Sequence, residues 1–174
     1  MDRRVFRVIA VVVLSVGMLA SASPADAASR IGLGDSVMQG ATTELRARGF
    51  RVNTVQSRQF SDAPALIRSL RAAGRLPPIV VIHLGNNGYI EQADCRAAVR
   101  AAGNRRVYLV TLKVPRGWRA ANNRRLRICA NRFASASVVD WFSYAVNHPS
   151  WFYDGFHLTP IGRRKYASFI AGQT

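Results

Sequence analysis

Short apolar runs alternate with longer helix-like segments along the sequence after residue 28. This alternation predicts a parallel β-sheet whose strands are connected by helices. The run at residues 79–84 is the most apolar of them, which is typical of a central strand that is buried on both faces. The predicted strands lie at residues 31–34, 50–55, 79–84, 107–112 and 138–140.

The helix-like segments have recognisable ends. Gly49, Gly74 and Gly103 follow three of them, and glycine is a natural helix stop. Pro160 opens the last segment, where its missing amide hydrogen has no helical partner to lose. The predicted helices lie at residues 37–48, 62–73, 90–102 and 120–133 and from Pro160 onward. We therefore predict an α/β fold, a three-layer α/β/α sandwich with a five-stranded parallel sheet, formed by one domain at residues 28–174.

Residues 1–27 have the features of a signal peptide. Arg3, Arg4 and Arg7 precede an apolar run at residues 8–20, and Ala25-Asp26-Ala27 offers small residues where a signal peptidase reads. The run is shorter than the roughly 20 residues that a spanning helix needs. We predict an exported protein that begins near Ala28, located outside the cytoplasm or associated with the cell wall. An uncleaved membrane anchor is the alternative.

The charge is strongly positive. The formal net charge is +16, and removing the three Arg and two Asp of residues 1–27 leaves +15. Such a charge attracts polyanions such as nucleic acid, anionic lipid or acidic wall polymers. The arginines are spread along the chain without interleaved aromatic residues, and export also argues against nucleic acid. Attraction to an anionic cell-envelope polymer and a plain solvated surface both stay open.

Two cysteines, Cys95 and Cys129, fall in predicted helices. An even number of cysteines in an oxidising compartment favours one structural disulfide, and two free buried thiols are the alternative. Neither cysteine has a second Cys or a His at metal-ligand spacing, so we predict no metal site and no cofactor.

Gly34-Asp35-Ser36 follows the first predicted strand directly. In a parallel sheet, this position lies at the carboxyl edge, beside the N-terminus of a helix, where open α/β sheets bind their ligands. Ser36 is therefore a candidate nucleophile. A turn that only caps the helix is the alternative.

The three histidines differ in their surroundings. His83 lies inside an apolar strand and is expected to be buried, whereas His148 lies in an irregular loop and is expected to be exposed. His157 follows Asp154 by three residues, which places both side chains on one side of a helical turn. A carboxylate that orients an imidazole is the arrangement that activates a serine hydroxyl. The alternative is an Asp that caps a turn.

An acyl-transfer site also needs donors for the developing oxyanion. Asn87, in a glycine-flanked turn after the third strand, has a side-chain amide at the right sheet edge, and the backbone amides of Ser36 and Ser57 supply two more candidates. Asn86 and Asn87 are also ordinary turn residues.

Taken together, these motifs resemble the SGNH (GDSL-type) hydrolase superfamily. Gly34-Asp35-Ser36 matches its first motif, and residues 154–157 match its Asp-x-x-His motif. Residues 85–88 match the third motif except that Gly88 replaces its final Asp. This variant, with residues 57–59 and 114–116, looks like the extracytoplasmic SGNH domains of membrane acyltransferases, including peptidoglycan O-acetyltransferases.

The resemblance implies a flavodoxin-like SGNH fold and assigns roles to residues. Ser36 becomes the nucleophile, His157 the base, and Asp154 the acid that orients the base. Asn87 and the backbone of Ser36 form the oxyanion hole. Ser57 stands where the family usually has Gly in its second motif, so its side chain is expected to crowd the cleft or narrow the acyl group accepted.

The predicted function is a secreted serine esterase that hydrolyses small acyl esters, most simply O-acetyl groups on carbohydrate or cell-envelope glycans. Arg58, Arg116 and Trp118 are the expected substrate contacts, with Trp151 and Tyr153 forming either a sugar-stacking rim or part of the core. The related transferases have a membrane domain that delivers the acyl donor. An O-acyltransferase that works with a separate membrane partner is therefore the runner-up, and a catalytically silent wall-binding module is the third alternative.

Overall fold

The computed structural model describes residues 29–174. The predicted signal peptide at residues 1–27 lies outside the described residues. Within residues 29–174, no helix has the length and apolar character needed to cross a membrane.

The described residues contain one sheet of five parallel strands in the order β2-β1-β3-β4-β5. The third strand lies at the centre, as its apolar sequence predicts, and the sheet confirms the predicted α/β class. The strands are β1 (Arg30–Gly34), β2 (Phe50–Thr54), β3 (Ile79–His83), β4 (Arg106–Val110) and β5 (Ala136–Val139).

Helices cover both faces of the sheet. The helices are α1 (Ser36–Gly40), α2 (Thr42–Arg46), α3 (Ala63–Ala72), α4 (Gln92–Ala102), α5 (Arg119–Ala130), α6 (Trp141–Ala145) and α7 (Pro160–Gln173), with 3₁₀ turns at Phe60–Asp62 and Pro149–Trp151. Alternate residues of a strand point to opposite faces. Val80 and Ile82 of β3 therefore pack with α3, α4 and α5 in one apolar cluster, and Val81 packs with α1, α2, α6 and α7 in the other.

Two local predictions were wrong. The helix predicted at residues 37–48 is divided into α1 and α2, because the backbone leaves helical geometry at Ala41. Gly40 and the β-branched Thr42 flank this break, and both are weaker helix formers than their neighbours. The helix α6 at Trp141–Ala145 was not predicted, because a helix of five residues is too short to show a clear periodic pattern.

Cys95 and Cys129 are fully buried and form the predicted disulfide. The bond joins α4 to α5 within the cluster on one face of the sheet. Among the described residues no free cysteine is present.

Candidate active site

Ser36 is positioned by a tight connection between β1 and α1. Met38 packs directly over Gly32 and Gly34, and a side chain at Gly34 would collide with it, so the strand end accepts only glycine. Asp35 then caps α1, accepting a 3.0 Å hydrogen bond from the Val37 amide. This cap places Ser36 at the first helical position, half-buried at the carboxyl edge of the sheet.

Three predicted residues meet at this edge. The Ser36 Oγ lies 3.0 Å from the His157 Nε2, and the His157 Nδ1 lies 2.6 Å from the Asp154 Oδ2. The Asp154 Oδ1 also accepts the backbone amides of Phe156 at 3.2 Å and His157 at 2.8 Å. These bonds hold the carboxylate and the imidazole in one rigid turn. Their order is that of a nucleophile, a base and an orienting acid.

The ionisation of Asp154 fixes the roles of the two ring nitrogens. Partial burial raises its pKa, but hydrogen bonds from the side chain and backbone of His157 and from the Phe156 amide outweigh burial and leave the pKa below its ordinary value. Asp154 is therefore an acceptor only at neutral pH, so the His157 Nδ1 must donate to it. The neutral imidazole then presents the lone pair of Nε2 to the hydroxyl of Ser36.

Asp35 has a second contact set that sequence reasoning missed. Its buried carboxylate accepts the side-chain amide of Asn86, at 3.2 Å and 3.0 Å, and that of Asn87, at 3.2 Å. Burial raises the pKa of Asp35, opposed by the bonds from Asn86 and Val37. One carboxylate thus connects the turn after β3 to the turn that carries Ser36. The Gly-Asp-Ser and Gly-Asn-Asn motifs were visible in the sequence, but their contact was not.

Ser57 adopts a left-handed backbone conformation, with φ of 59°, and is the one non-glycine residue among residues 29–174 with positive φ. Glycine takes this conformation without the roughly 1–2 kcal/mol cost that a Cβ adds. The loop is tied to the Asn87 turn by Gln59, whose side-chain amide donates to the carbonyls of Ser57 at 3.1 Å and Asn87 at 3.4 Å. Three loops that hold the expected oxyanion donors are therefore joined at one edge.

The amide hydrogens of Ser36 and Ser57 have no acceptor within the described part of the chain. Asn87 is half-buried, and its side chain uses one amide hydrogen on Asp35. The other hydrogen of the Asn87 side-chain amide does not take part in the bond to Asp35. The arrangement leaves these donors available to a ligand, which is what an oxyanion site requires.

Arg58, one of the expected substrate contacts, is hydrogen-bonded to the ends of β1 and β2. Its guanidinium donates to the carbonyls of Asn53 at 2.8 Å and Gly34 at 3.4 Å, and to the Asn53 Oδ1 at 2.9 Å. Desolvation lowers the pKa of Arg58, opposed by the charges of Asp62 and Asp35. Arg58 therefore supports the strand end just before Asp35.

Lys113 was not identified from the sequence. Its Nζ donates to the carbonyl of Gly155 at 2.6 Å and lies 4.0 Å from the ring centre of Phe152. Burial lowers the pKa of Lys113, the charge of Arg119 lowers it further, and Asp154 opposes both. Through this hydrogen bond, Lys113 holds the turn that carries Asp154 and His157 in place. Only the folded chain brings it there, because 42 residues separate it from Gly155.

The expected substrate rim is only partly assembled. Arg116 is exposed, with no side-chain hydrogen bond recorded within residues 29–174, and Trp118 is half-buried with its ring 5.8 Å from that of Tyr89. Tyr153 is 67% exposed, so its ring is available to a ligand, whereas Trp151 is 7% exposed and stacks on Trp141 as part of the core.

The other histidines behave as expected. His83 is fully buried, its Nδ1 lies 2.8 Å from the Tyr166 hydroxyl, and burial lowers its pKa to about 3. His148 is exposed and stacks on Trp151. No group of three His, Cys, Asp or Glu side chains with metal-binding geometry occurs within residues 29–174.

Comparison with protein-family models finds no match. Two curated relatives are similar in sequence. YrhL of Bacillus subtilis, a proposed peptidoglycan O-acetyltransferase, is 33% identical over 152 residues, which are 84% of this chain and 24% of YrhL. The O-acetyltransferase OatA of Staphylococcus aureus is 28% identical over 142 residues, 79% of this chain and 24% of OatA. The chain thus spans about a quarter of the length of these relatives.

Solved structures share the fold. The C-terminal catalytic domain of the Streptococcus pneumoniae peptidoglycan O-acetyltransferase A superposes with a TM-score of 0.74 and 23% identity, covering 83% of this chain and 90% of that domain. The chain has the SGNH hydrolase fold. A GDSL-like lipase from Bacteroides thetaiotaomicron gives a TM-score of 0.69 and 16% identity over 84% of this chain and 87% of the lipase. The resemblance to SGNH acyltransferase domains is confirmed.

Proposed function

We propose that this SGNH domain is an extracytoplasmic serine esterase that removes a small acyl group, acetyl, from carbohydrate hydroxyls of the cell envelope. The observation that carries the proposal is the unbroken hydrogen-bond series from Ser36 through His157 to Asp154. The similarity to O-acetyltransferases supports acetyl as the acyl group and an envelope glycan as the substrate class.

The reaction begins with Ser36. The His157 Nε2 takes the proton of the Ser36 hydroxyl as Oγ attacks the ester carbonyl, and Asp154 stabilises the imidazolium that forms. The tetrahedral oxyanion accepts hydrogen bonds from the amides of Ser36 and Ser57 and from the Asn87 side chain. Loss of one such donor commonly costs about 10²–10³ in rate.

Collapse of this intermediate releases the alcohol. The Nε2 proton of His157 passes to the leaving carbohydrate oxygen, and the acetyl group stays on Ser36 as an ester. His157, neutral again, then removes a proton from water, whose oxygen attacks the acetyl carbonyl. Acetate leaves, and the proton returns to the Ser36 oxygen. Each step uses the same base and the same oxyanion donors.

The openness of the site favours water as the acceptor. The side chains of His157 and Asp154 are 40% and 48% exposed, so bulk water reaches the base directly. An enzyme that transfers the acyl group must disfavour water at this point. The exposed base is therefore more compatible with hydrolysis.

Transfer to a second hydroxyl is the other candidate function, and the named activity of the relatives favours it. The chemistry up to acetyl-Ser36 is identical, and a glycan hydroxyl takes the place of water in the second half. A separate membrane acyltransferase would then supply the acetyl donor.

For location, we propose that residues 1–27 are cleaved and that the exported chain begins at Ala28, a start that N-terminal sequencing of the exported protein would show.

The two functions separate in a partition experiment. The purified protein is given 4-nitrophenyl acetate with and without a chito-oligosaccharide acceptor, and free acetate and O-acetyl sugar are quantified by mass spectrometry. Esterase function predicts acetate as the main product at all acceptor concentrations. Dominant O-acetyl sugar would instead establish the transferase.

The Ser36→Ala variant is the matched control, since it removes only the nucleophilic oxygen. Its rate of 4-nitrophenyl acetate cleavage should fall by about 10⁴-fold or more. A variant that keeps its rate would contradict both functions. The wall-binding module would then be the remaining explanation of the fold and the charge.

A further inference from the structure

Four grooves form a row at the amino edge of the sheet, opposite the edge that holds Ser36. The first and second grooves share Arg51 and Arg75. The second and third share Pro78, and the third and fourth share Arg106. Because each groove shares lining residues with the next, the four lie side by side along this edge, and the row is called the channel below.

This channel follows the strand order. Its first groove lies beside β2, the middle of it crosses the residues that precede β3, and its last groove lies beside β4 and the residues before β5. Five strands at the usual spacing of about 4.8 Å give a length of about 19 Å. A channel of that shape fits an extended chain better than a compact ligand.

The charges along the channel have one sign. Five arginines line it, here called the arginine track: Arg46, Arg51, Arg75, Arg105 and Arg106. No acidic residue lines the four grooves, and none of the five forms an ion pair with another described residue. Unpaired like charges in a row repel one another, and a polyanion along the row would offset that repulsion.

Residue type narrows the class of partner. The track contains Arg alone, whose planar guanidinium pairs with phosphate or carboxylate through two hydrogen bonds. The exposed large apolar side chains of the described residues, such as Tyr89 and Tyr153, lie outside the four grooves. Phe50 and Tyr108, the aromatic residues that line the grooves, are buried and half-buried, so the channel offers neither an exposed platform for stacked bases nor an exposed apolar anchor for a bilayer.

We propose that the arginine track binds a linear phosphodiester polymer of the cell envelope, a polyol-phosphate type of chain without bases. The polymer lies across the strand ends, with its phosphates paired to successive guanidinium groups. Because Ser36 is at the opposite edge, the bound polymer leaves the catalytic edge open toward the glycan. The proposal stands independently of the esterase reaction.

The test uses a double variant, Arg75→Gln with Arg106→Gln. These two residues together line all four grooves, both are exposed, and neither guanidinium donates a recorded hydrogen bond within residues 29–174. The probe is fluorescein-labelled linear polyphosphate, with binding followed by fluorescence anisotropy over a range of salt concentrations. Affinity should fall at least about 10-fold, and the slope of log affinity against log salt should shrink by about 1.5 for two lost phosphate contacts.

The matched control is Arg124→Gln with Arg164→Gln, which removes the same charge from exposed positions outside the channel. It should lose less than about 2-fold in affinity. Cleavage of 4-nitrophenyl acetate should be the same in both double variants and the unchanged protein, which also shows that they fold. Equal loss of affinity in the two variants would overturn the proposal, because the attraction would then come from diffuse net charge.

Three further probes can also overturn it. Polyglutamate bound as tightly as polyphosphate would remove the phosphate preference. If the protein bound phosphatidylglycerol vesicles more tightly than polyphosphate, and the Arg75→Gln, Arg106→Gln variant lost that binding, the partner would be a membrane surface. An oligonucleotide preferred over polyphosphate would identify a nucleic-acid site. Weaker binding of all three than of polyphosphate supports the proposal.

Discussion

The two edges of the sheet use charge in opposite ways. Of the seven acidic residues among residues 29–174, five lie in strand-to-helix connections or in the first turn of the following helix, at the carboxyl edge: Asp35, Asp62, Glu91, Asp94 and Asp140. Asp154 precedes the last helix and joins this edge through His157 and Ser36. The amino edge carries the arginine track without a paired acid. At the first edge Asp35, Asp140 and Asp154 are fixed by hydrogen bonds, whereas at the second edge the arginines of the track form no ion pair with a described residue.

This difference follows from topology. In a parallel sheet all strands end at one edge and all helices return to the other, so residues after strands and residues before strands separate in space. Helix N-termini favour acids and helix C-termini favour bases, which strengthens the same division. A chain with a single fold can therefore keep its reaction chemistry apart from a polyanion surface. The following variants test whether the catalytic edge depends on its fixed contacts.

The largest effect is expected for Asp35→Asn. An amide at this position presents hydrogens to the side-chain amides of Asn86 and Asn87, which need an acceptor. The Asn87 turn should shift away from Ser36, and kcat/KM for 4-nitrophenyl acetate should fall by about 10². Asp94→Asn is the control, since that acid lies at the same edge without a recorded hydrogen bond. Equal rates in the two variants would refute the role of Asp35.

A pH-dependent loss of stability is expected from His83. Its pKa is about 3 in the folded protein against an ordinary 6.5, so between these values the unfolded chain binds a proton that the folded chain does not. The free energy of unfolding therefore falls as pH falls below 6.5, by up to about 1.4 kcal/mol per pH unit. The His83→Gln side chain does not titrate, so the free energy of unfolding, measured by urea titration at each pH, should change less between pH 6 and 4 than in the unchanged protein. His148→Gln, at an exposed position, should keep the pH dependence of the unchanged protein. If the unfolding free energies of the two variants depend on pH in the same way, His83 is not the source of the loss.

Lys113→Met should lower kcat by about 10-fold with little change in KM, because the turn that holds Asp154 and His157 loses its clamp while the substrate rim stays. Lys165→Met removes the only other lysine, which is exposed, and should leave both constants unchanged. A higher KM at unchanged kcat would mean that Lys113 binds substrate and does not position the turn.

The smallest effect is expected for Ser57→Gly. Removing the Cβ at φ of 59° should stabilise the fold by about 1 kcal/mol, measured by thermal unfolding. Ser57→Ala keeps the Cβ and removes only the hydroxyl, so it should not gain this stability. If Gly and Ala give the same melting temperature, the left-handed backbone at Ser57 carries no cost.

Much of the fold could be predicted because it depends on local patterns. The strands at residues 31–34 and 79–84 are continuous apolar runs, and Asp154 and His157 are near enough in sequence for one turn to join them. The support around them could not be predicted. Lys113 reaches Gly155, and Asn86 reaches Asp35, only after separate strands have paired in the observed order.

Arg58 shows a different limit. A charged residue in a loop beside the site predicts a substrate contact, and the structure adds hydrogen bonds from its guanidinium to Asn53 and Gly34 that the sequence did not indicate. The local sequence shows that an arginine is present, but it does not show which backbone carbonyls the fold brings within hydrogen-bond distance of it. The arginine track has the same origin, since the order β2-β1-β3-β4-β5 aligns residues that are distant in the chain.

The central claim is that Ser36 is an activated nucleophile, and covalent labelling tests it most directly. The purified protein is treated with a fluorophosphonate beside Ser36→Ala, and the modified residue is located by mass spectrometry of peptides. A single adduct on Ser36, absent from the Ser36→Ala variant, is the expected result. A folded protein that acquires no adduct, or acquires one on another residue, would contradict it.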